Sequence, residues 1–232
     1  MVFLFVDSKR HHLTPPGFTF VPAIIKFHDF MHEHIRKIKL AIKNNTNLEE
    51  VVEQALASIT KSSDLEDLLD DLGEVAFKDP RYLEVYDLLH KHFPQNALIM
   101  LSKSLACRPR YCNESVDALI KALVILHQTD EDYSFIRLCY ESLGVNYFQL
   151  SQARQAIAAY TLAMSYYDPQ KDHFQHAFHF SLYNRAWLYM QQNRHDLAKR
   201  DVTFFLSHCP KDPYFSDLLK QIEDEQVELK QI

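Results

Sequence analysis

Residues 140–169 read YESLGVNYFQLSQARQAIAAYTLAMSYYDP, and the fold turns on this stretch. Tyr140, Leu143 and Tyr147 recur at intervals of three and four, which lines them up on one face of a helix. Gly144 sits among them without a side chain, so a second helix can come close at that point. Ala156, Tyr160 and Ala163 repeat the spacing in a following helix, and Pro169 closes the segment. A weaker copy follows. Leu182, Ala186 and Tyr189 occupy its first helix, Ala198 its second, and Pro210 ends it. The intervals from Tyr147 to Ala156 and from Tyr189 to Ala198 are both nine residues. The copy departs at Arg185, where Leu143 stood, at Val202 for Tyr160 and at Phe205 for Ala163.

This pattern resembles the tetratricopeptide repeat, a helix–turn–helix unit of about 34 residues. Tyr140 stands where that family often has Trp, and Pro169 comes one residue after the usual closing proline. The two copies lie 42 residues apart, and the extra length falls at 171–178, enough for about two helical turns. The clear resemblance covers 131–210. It implies an all-α fold of antiparallel helical hairpins stacked as a short α-solenoid, because one hairpin alone cannot bury its apolar face.

Periodicity extends the helices outward from this segment. A stripe of Ile24, Phe27, Met31, Ile35, Ile38 and Ile42 predicts a long helix over 22–43. Asn44-Asn45-Thr46-Asn47 reads as its stop and as the N-cap of the next helix. Further helices are expected at 48–60, 64–77 and 80–92, with Asp64 and Asp79-Pro80 as start signals. Others are expected at 96–107, 114–128, 132–150, 152–167, 173–192 and 194–208. Ala106, Ala118 and Ala122 suit another hairpin, and residues 64–94 suit a short one ending at Pro94. A last helix, 213–230, carries Leu218, Leu219, Ile222, Val227 and Leu229 among polar residues, the mix of a capping helix. Residues 1–21, with Pro15-Pro16-Gly17, read as an irregular arm. The expected division is thus an arm, 1–21, an N-terminal helical region, 22–95, and the repeats with their cap, 96–232.

Composition narrows the function. Only Gly17, Gly73 and Gly144 are glycines. Neither a phosphate-cradling G-x-x-x-x-G-K nor a dinucleotide-binding G-x-G-x-x-G can be written in the chain. A net charge of −6 offers no general attraction to nucleic acid. No apolar run nears the ~18 residues of a membrane span, and the apolar start, Met1 to Val6, is broken at Asp7 to His12. Cys107, Cys112, Cys139 and Cys209 have no zinc-finger spacing and read as reduced thiols of a cytoplasmic protein. No cofactor is expected, and the sequence says nothing of the oligomeric state.

The resemblance implies a protein–protein interaction scaffold that holds a partner peptide or helix on the concave face, along the first helix of each hairpin. Carried onto this sequence, that face comprises Leu138, Glu141, Val145, Phe148 and Gln149. The next hairpin adds Phe180, Tyr183, Asn184, Trp187, Met190 and Gln191. Apolar patches of this kind often mark interaction sites, unless the chain's own helices cover them. His173 and His176 fall in line with Phe180 and Tyr183 and would form a titratable rim. Some family members grip a chaperone's C-terminal carboxylate with Lys and Asn. Glu141 and Val145 occupy those places here and argue against that ligand.

Other chemistry is weaker. His28 and His32, with Asp29, Glu33 and His34 nearby, have metal-ligand spacing, but Arg36 and Lys39 follow and repel a cation. The acidic run Asp64, Glu66, Asp67, Asp70, Asp71 and Glu74 lacks a calcium-loop pattern and reads as a solvated face. No nucleophile motif is present. A peptide-sensing regulator with the N-terminal helices as output is the alternative, and an enzyme or metal protein built on 1–95 is the reading from another class.

Overall fold

The computed structural model describes residues 28–229 apart from 60, 77–78, 108–109, 130–132 and 168–173. The expected arm, 1–21, and the first turns of the expected helix from residue 22 lie outside the described residues. Among the described residues the chain is helical throughout, with no strand. Two compact units divide it, residues 1–122 and 123–232, with the boundary inside one helix.

In the first unit, α1 (His28–Asn44) and α2 (Leu48–Leu56) form a hairpin. α3 (Ser62–Ala76) is followed by a 3-10 turn, Pro80–Tyr82, and α4 (Leu83–His92). Next come α5 (Ala97–Cys107) and α6 (Cys112–Leu126), which runs across the boundary. α1 packs on α3 and α3 on α5, while α2 packs on α4, so alternate helices stack in series. The stripe read from the sequence fits this packing: Ile35, Ile38 and Ile42 of α1 are buried, as are Leu68, Leu69 and Leu72 of α3. The junction expected at 95/96 falls between α4 and α5, which pack on each other. Start signals act locally. Asn47 Oδ1 accepts from Glu50 N–H, and Asp79 Oδ1 from Arg81 N–H. α3 starts two residues before Asp64, whose carboxylate reaches back to Lys61 N–H at 3.0 Å. That is the reciprocal half of a capping box.

In the second unit, α7 (Tyr133–Gln149) and α8 (Ala153–Ser165) form one hairpin, and α9 (Phe174–Gln191) and α10 (His195–His208) the next. α11 (Pro213–Leu229) packs on α10 and ends the array. α9 touches both α7 and α8, as stacking requires. Ala156, Ala163, Ala186 and Ala198 are all fully buried at the helix crossings. Matched turns join the helices. Ser151 and Asn193 adopt left-handed backbone, φ 59° and 57°. Gln152 N–H donates to Tyr147 O and Arg194 N–H to Tyr189 O, both at 2.8 Å. These are Schellman closures, which satisfy carbonyls left open at the end of a helix. The α1–α2 turn repeats them: Asn45 has φ 52°, and Thr46 N–H donates to Ala41 O at 3.0 Å.

Candidate functional site

Ser181 Oγ on α9 donates to Glu141 Oε1 on α7 at 3.3 Å. That bond joins the first helices of the two repeats, which touch each other. Along α7, Leu138, Glu141 and Val145 are half-buried, and Phe148 and Gln149 are exposed, Phe148 by 38%. On α9, Asn184 and Trp187 are half-buried and Gln191 is exposed. Asn184 is oriented by its own helix, its amide donating to Phe180 O at 2.8 Å.

Three expected groove residues are largely absorbed by the protein itself. Met190 is 6% exposed and belongs to the core shared by α9, α10 and α11, so it is not a groove residue. Tyr183 meets the ring of Phe215 edge-on at 5.7 Å, because the first turn of α11 lies against it. Phe180 stands edge-on to Tyr160 at 6.0 Å and packs on the core beneath α8. Trp187 also touches the core, but it stays half-buried. Of the expected rim, His173 and the side chain of His176 lie outside the described residues.

One titratable pair was missed by sequence reasoning. His179 is enclosed by the rings of Phe205, Tyr214 and Phe215 and stacks on Tyr183. Its Nε2 stands 3.4 Å from Asp212 Oδ2. Asp212 meanwhile caps α11, its Oδ1 accepting from the backbone of Tyr214 and Phe215 at 3.1 Å. Burial pushes the His179 imidazole below its usual value, and the nearby Asp212 carboxylate pulls it only partly back. The partners are 33 positions apart, and only the Asp-Pro start of α11 hinted at one of them. The pair links α9 to the N-terminal cap of α11.

Among the described residues, no three His, Cys, Asp or Glu side chains gather as a metal site. His34 is nearly buried, and its Nε2 lies 2.9 Å from Ser58 Oγ. Ser58 Oγ in turn donates to Ala55 O, so the bond ties α1 to the end of α2. The side chains of His28 and His32 lie outside the described residues. Cys107 is buried, and burial raises its thiol to about 12, far from nucleophilic use. No described helix is long and apolar enough to cross a membrane.

No family model matches the sequence. No curated protein matches it as a relative. Solved structures do match. The crystal structure of MamA protein aligns with a TM-score of 0.52 at 17% identity, over 70% of this chain and 86% of that one. The APC/C hetero-tetramer Cut9-Hcn1 aligns with a TM-score of 0.55 at 16% identity, over 83% of this chain and 36% of that one. A thermophilic TPR protein of Thermus thermophilus aligns at 0.47 and 17% identity, over 85% and 99%. In its stacked hairpins and its all-α architecture, the chain resembles the tetratricopeptide repeat proteins.

Proposed function

We propose that this chain is a protein–protein interaction scaffold, a binder rather than a catalyst, whose α7–α9 face receives a peptide or helix of a partner protein. The observation that supports it is apolar surface left over after folding. Phe148 is exposed, and Leu138, Val145 and Trp187 are half-buried on adjacent first helices. Gln149 and Gln191 stand exposed at its edge, and Gln191 offers an amide to a partner's backbone. The groove is narrower than the full set of aligned positions, because α11 and the core take up Tyr183, Phe180 and Met190. Binding would bury the remaining apolar side chains on a preformed surface, which spares the receptor most of the entropy of ordering.

The test compares wild-type protein with Phe148→Ala combined with Trp187→Ala in affinity capture followed by mass spectrometry. Partners held by the groove are lost from the double variant while its helical content is kept. Loss of two aromatic anchors weakens binding by at least about 2 kcal/mol. An unchanged set of captured proteins would remove the groove from consideration. Unfolding of the double variant would show that these side chains serve the core instead.

A further inference from the structure

Two thiols meet where α5 gives way to α6. Ser115 Oγ on α6 donates to Ser104 O on α5 at 2.9 Å, and both serines are fully buried. Cys107 stands three residues after Ser104, and Cys112 three residues before Ser115. Side chains three apart share a helix face. The cysteines therefore lie one turn nearer the connection, on the faces that the serine contact already turns toward each other. The backbone closes the same turn: Tyr111 N–H donates to Cys107 O at 2.9 Å, and Ser115 N–H to Tyr111 O at 2.9 Å. Both thiols are free, and Cys112 is among the groups whose charge raises the Cys107 thiol, as befits neighbours. Two thiolates alone do not hold a zinc ion, and among the described residues no further ligand gathers beside them.

The two differ in what they can meet. Cys107 is fully buried, whereas Cys112, the first residue of α6, keeps part of its surface in water. An oxidant arriving from solution therefore reaches Cys112 first. Burial raises the Cys107 thiol to about 12, which leaves only ~10⁻⁵ of it ionised at about pH 7. Against a dissolved oxidant such a thiol is useless. Against a group held at contact the arithmetic changes, because an intramolecular partner acts as if present at ~10⁵ M or more. Proximity offsets the lost acidity for this one partner.

We propose that Cys107 and Cys112 are a redox site, at which a low-molecular-weight disulfide such as oxidised glutathione drives a reversible disulfide that staples α5 to α6. The Cys112 thiolate attacks one sulfur of the oxidant, whose S–S bond breaks. One glutathione leaves and takes up the proton that Cys112 gave away. The Cys107 sulfur then loses its proton, attacks the Cys112 sulfur and expels the second glutathione as a thiol. In all, two protein thiols lose two electrons and two protons, and the oxidant becomes two thiols. Excess reduced thiol runs the same steps backward.

The experiment is a peptide map of the full chain after incubation with oxidised glutathione, alkylation of the remaining thiols and digestion with trypsin. Trypsin cuts after Lys103, Arg110 and Lys121, so Cys107 and Cys112 fall in separate peptides, 104–110 and 111–121. These stay joined only through a disulfide. The joined pair should exceed any pair containing Cys139 or Cys209 by about tenfold or more, and dithiothreitol should abolish it. Cys107→Ser should leave Cys112 as the glutathione adduct. Cys112→Ser should leave Cys107 unmodified, because its route to the oxidant runs through Cys112. A wild-type chain whose Cys112 stays as the adduct, or whose thiols all stay free, would overturn the proposal. So would joined peptides found only in a covalent dimer, or oxidation of Cys107 in the Cys112→Ser chain. The wild-type map needs no substitution, so it decides the matter even if Cys107→Ser disturbs the core.

Discussion

Gly144 on α7 lies against the ring of Tyr160 on α8, so close that a Cβ built on it would stand 2.4 Å from Cε1 and 2.7 Å from Cδ1 and Cζ. The ring is 1% exposed and has no room to retreat. Gly144→Ala is therefore expected to destabilise the fold by about 1–3 kcal/mol, although alanine is the better helix former. The second hairpin has Ala186 and Val202 at the matched positions, both fully buried. Tyr160→Val in the Gly144→Ala background should recover stability, giving a coupling of about 1 kcal/mol or more in urea unfolding. An unchanged melting temperature for Gly144→Ala alone would contradict the crossing.

Left-handed backbone at Ser151 and Asn193 is the costly conformation for a side chain with a Cβ, and glycine is the residue that most often closes a helix this way. Ser151→Gly should raise stability by about 0.5–1 kcal/mol, and Asn193→Gly by less, because asparagine already tolerates that region. The measurement is the unfolding midpoint. A lower midpoint for Ser151→Gly would mean that the serine side chain contributes more than its backbone loses.

The helices and their hairpin order were legible because small residues at fixed intervals mark where helices cross. Gly144, Ala156, Ala186 and Ala198 are buried where the spacing put them. The periodicity of α9 also put Phe180, Tyr183 and Trp187 on one face, but a face is not yet a surface. What covers Tyr183 is Phe215, 32 positions later, and no local pattern announces that contact. The partners of His179 were hidden for the same reason.

His179 sets a direction for the pH dependence. Its imidazole is held below its usual value by burial, so the folded protein keeps it neutral where the unfolded chain takes up a proton. Above the ordinary histidine value of about 6.5, both states are neutral and stability is unaffected. As pH falls below about 6.5, the unfolded chain binds the proton more readily and stability declines. His34 and His90, also lowered by burial, act with the same sign. Melting temperature should therefore fall between about pH 7 and pH 5.5, and His179→Phe should flatten part of that slope. A slope identical to wild type would show that His179 titrates alike in both states.

Arg185 occupies the position that Leu143 holds in the preceding hairpin, and Asp201 the position of Ala159. The apolar pair of one repeat is thus an ion pair in the next. Arg185 Nε and Nη2 donate to the two carboxylate oxygens of Asp201 at 2.7 Å, and Nη1 reaches Thr161 Oγ1 at 2.8 Å. Both side chains are largely buried. Taking two charges out of water offsets much of their attraction, so the pair as a whole adds little net stability, while either charge left alone is expensive. Asp201→Ala should destabilise the protein by about 3–5 kcal/mol, because the guanidinium loses its partner inside the hairpin. Arg185→Leu should be harmful as well, since it strands the Asp201 carboxylate. Arg185→Leu with Asp201→Ala gives the second hairpin the two residues that the first buries at the matched positions, Leu143 and Ala159. The double variant should melt near or above wild type, despite carrying both single lesions. Chemical unfolding of the four proteins closes the cycle. If the double variant is as unstable as the worse single one, the two repeats do not share a packing register.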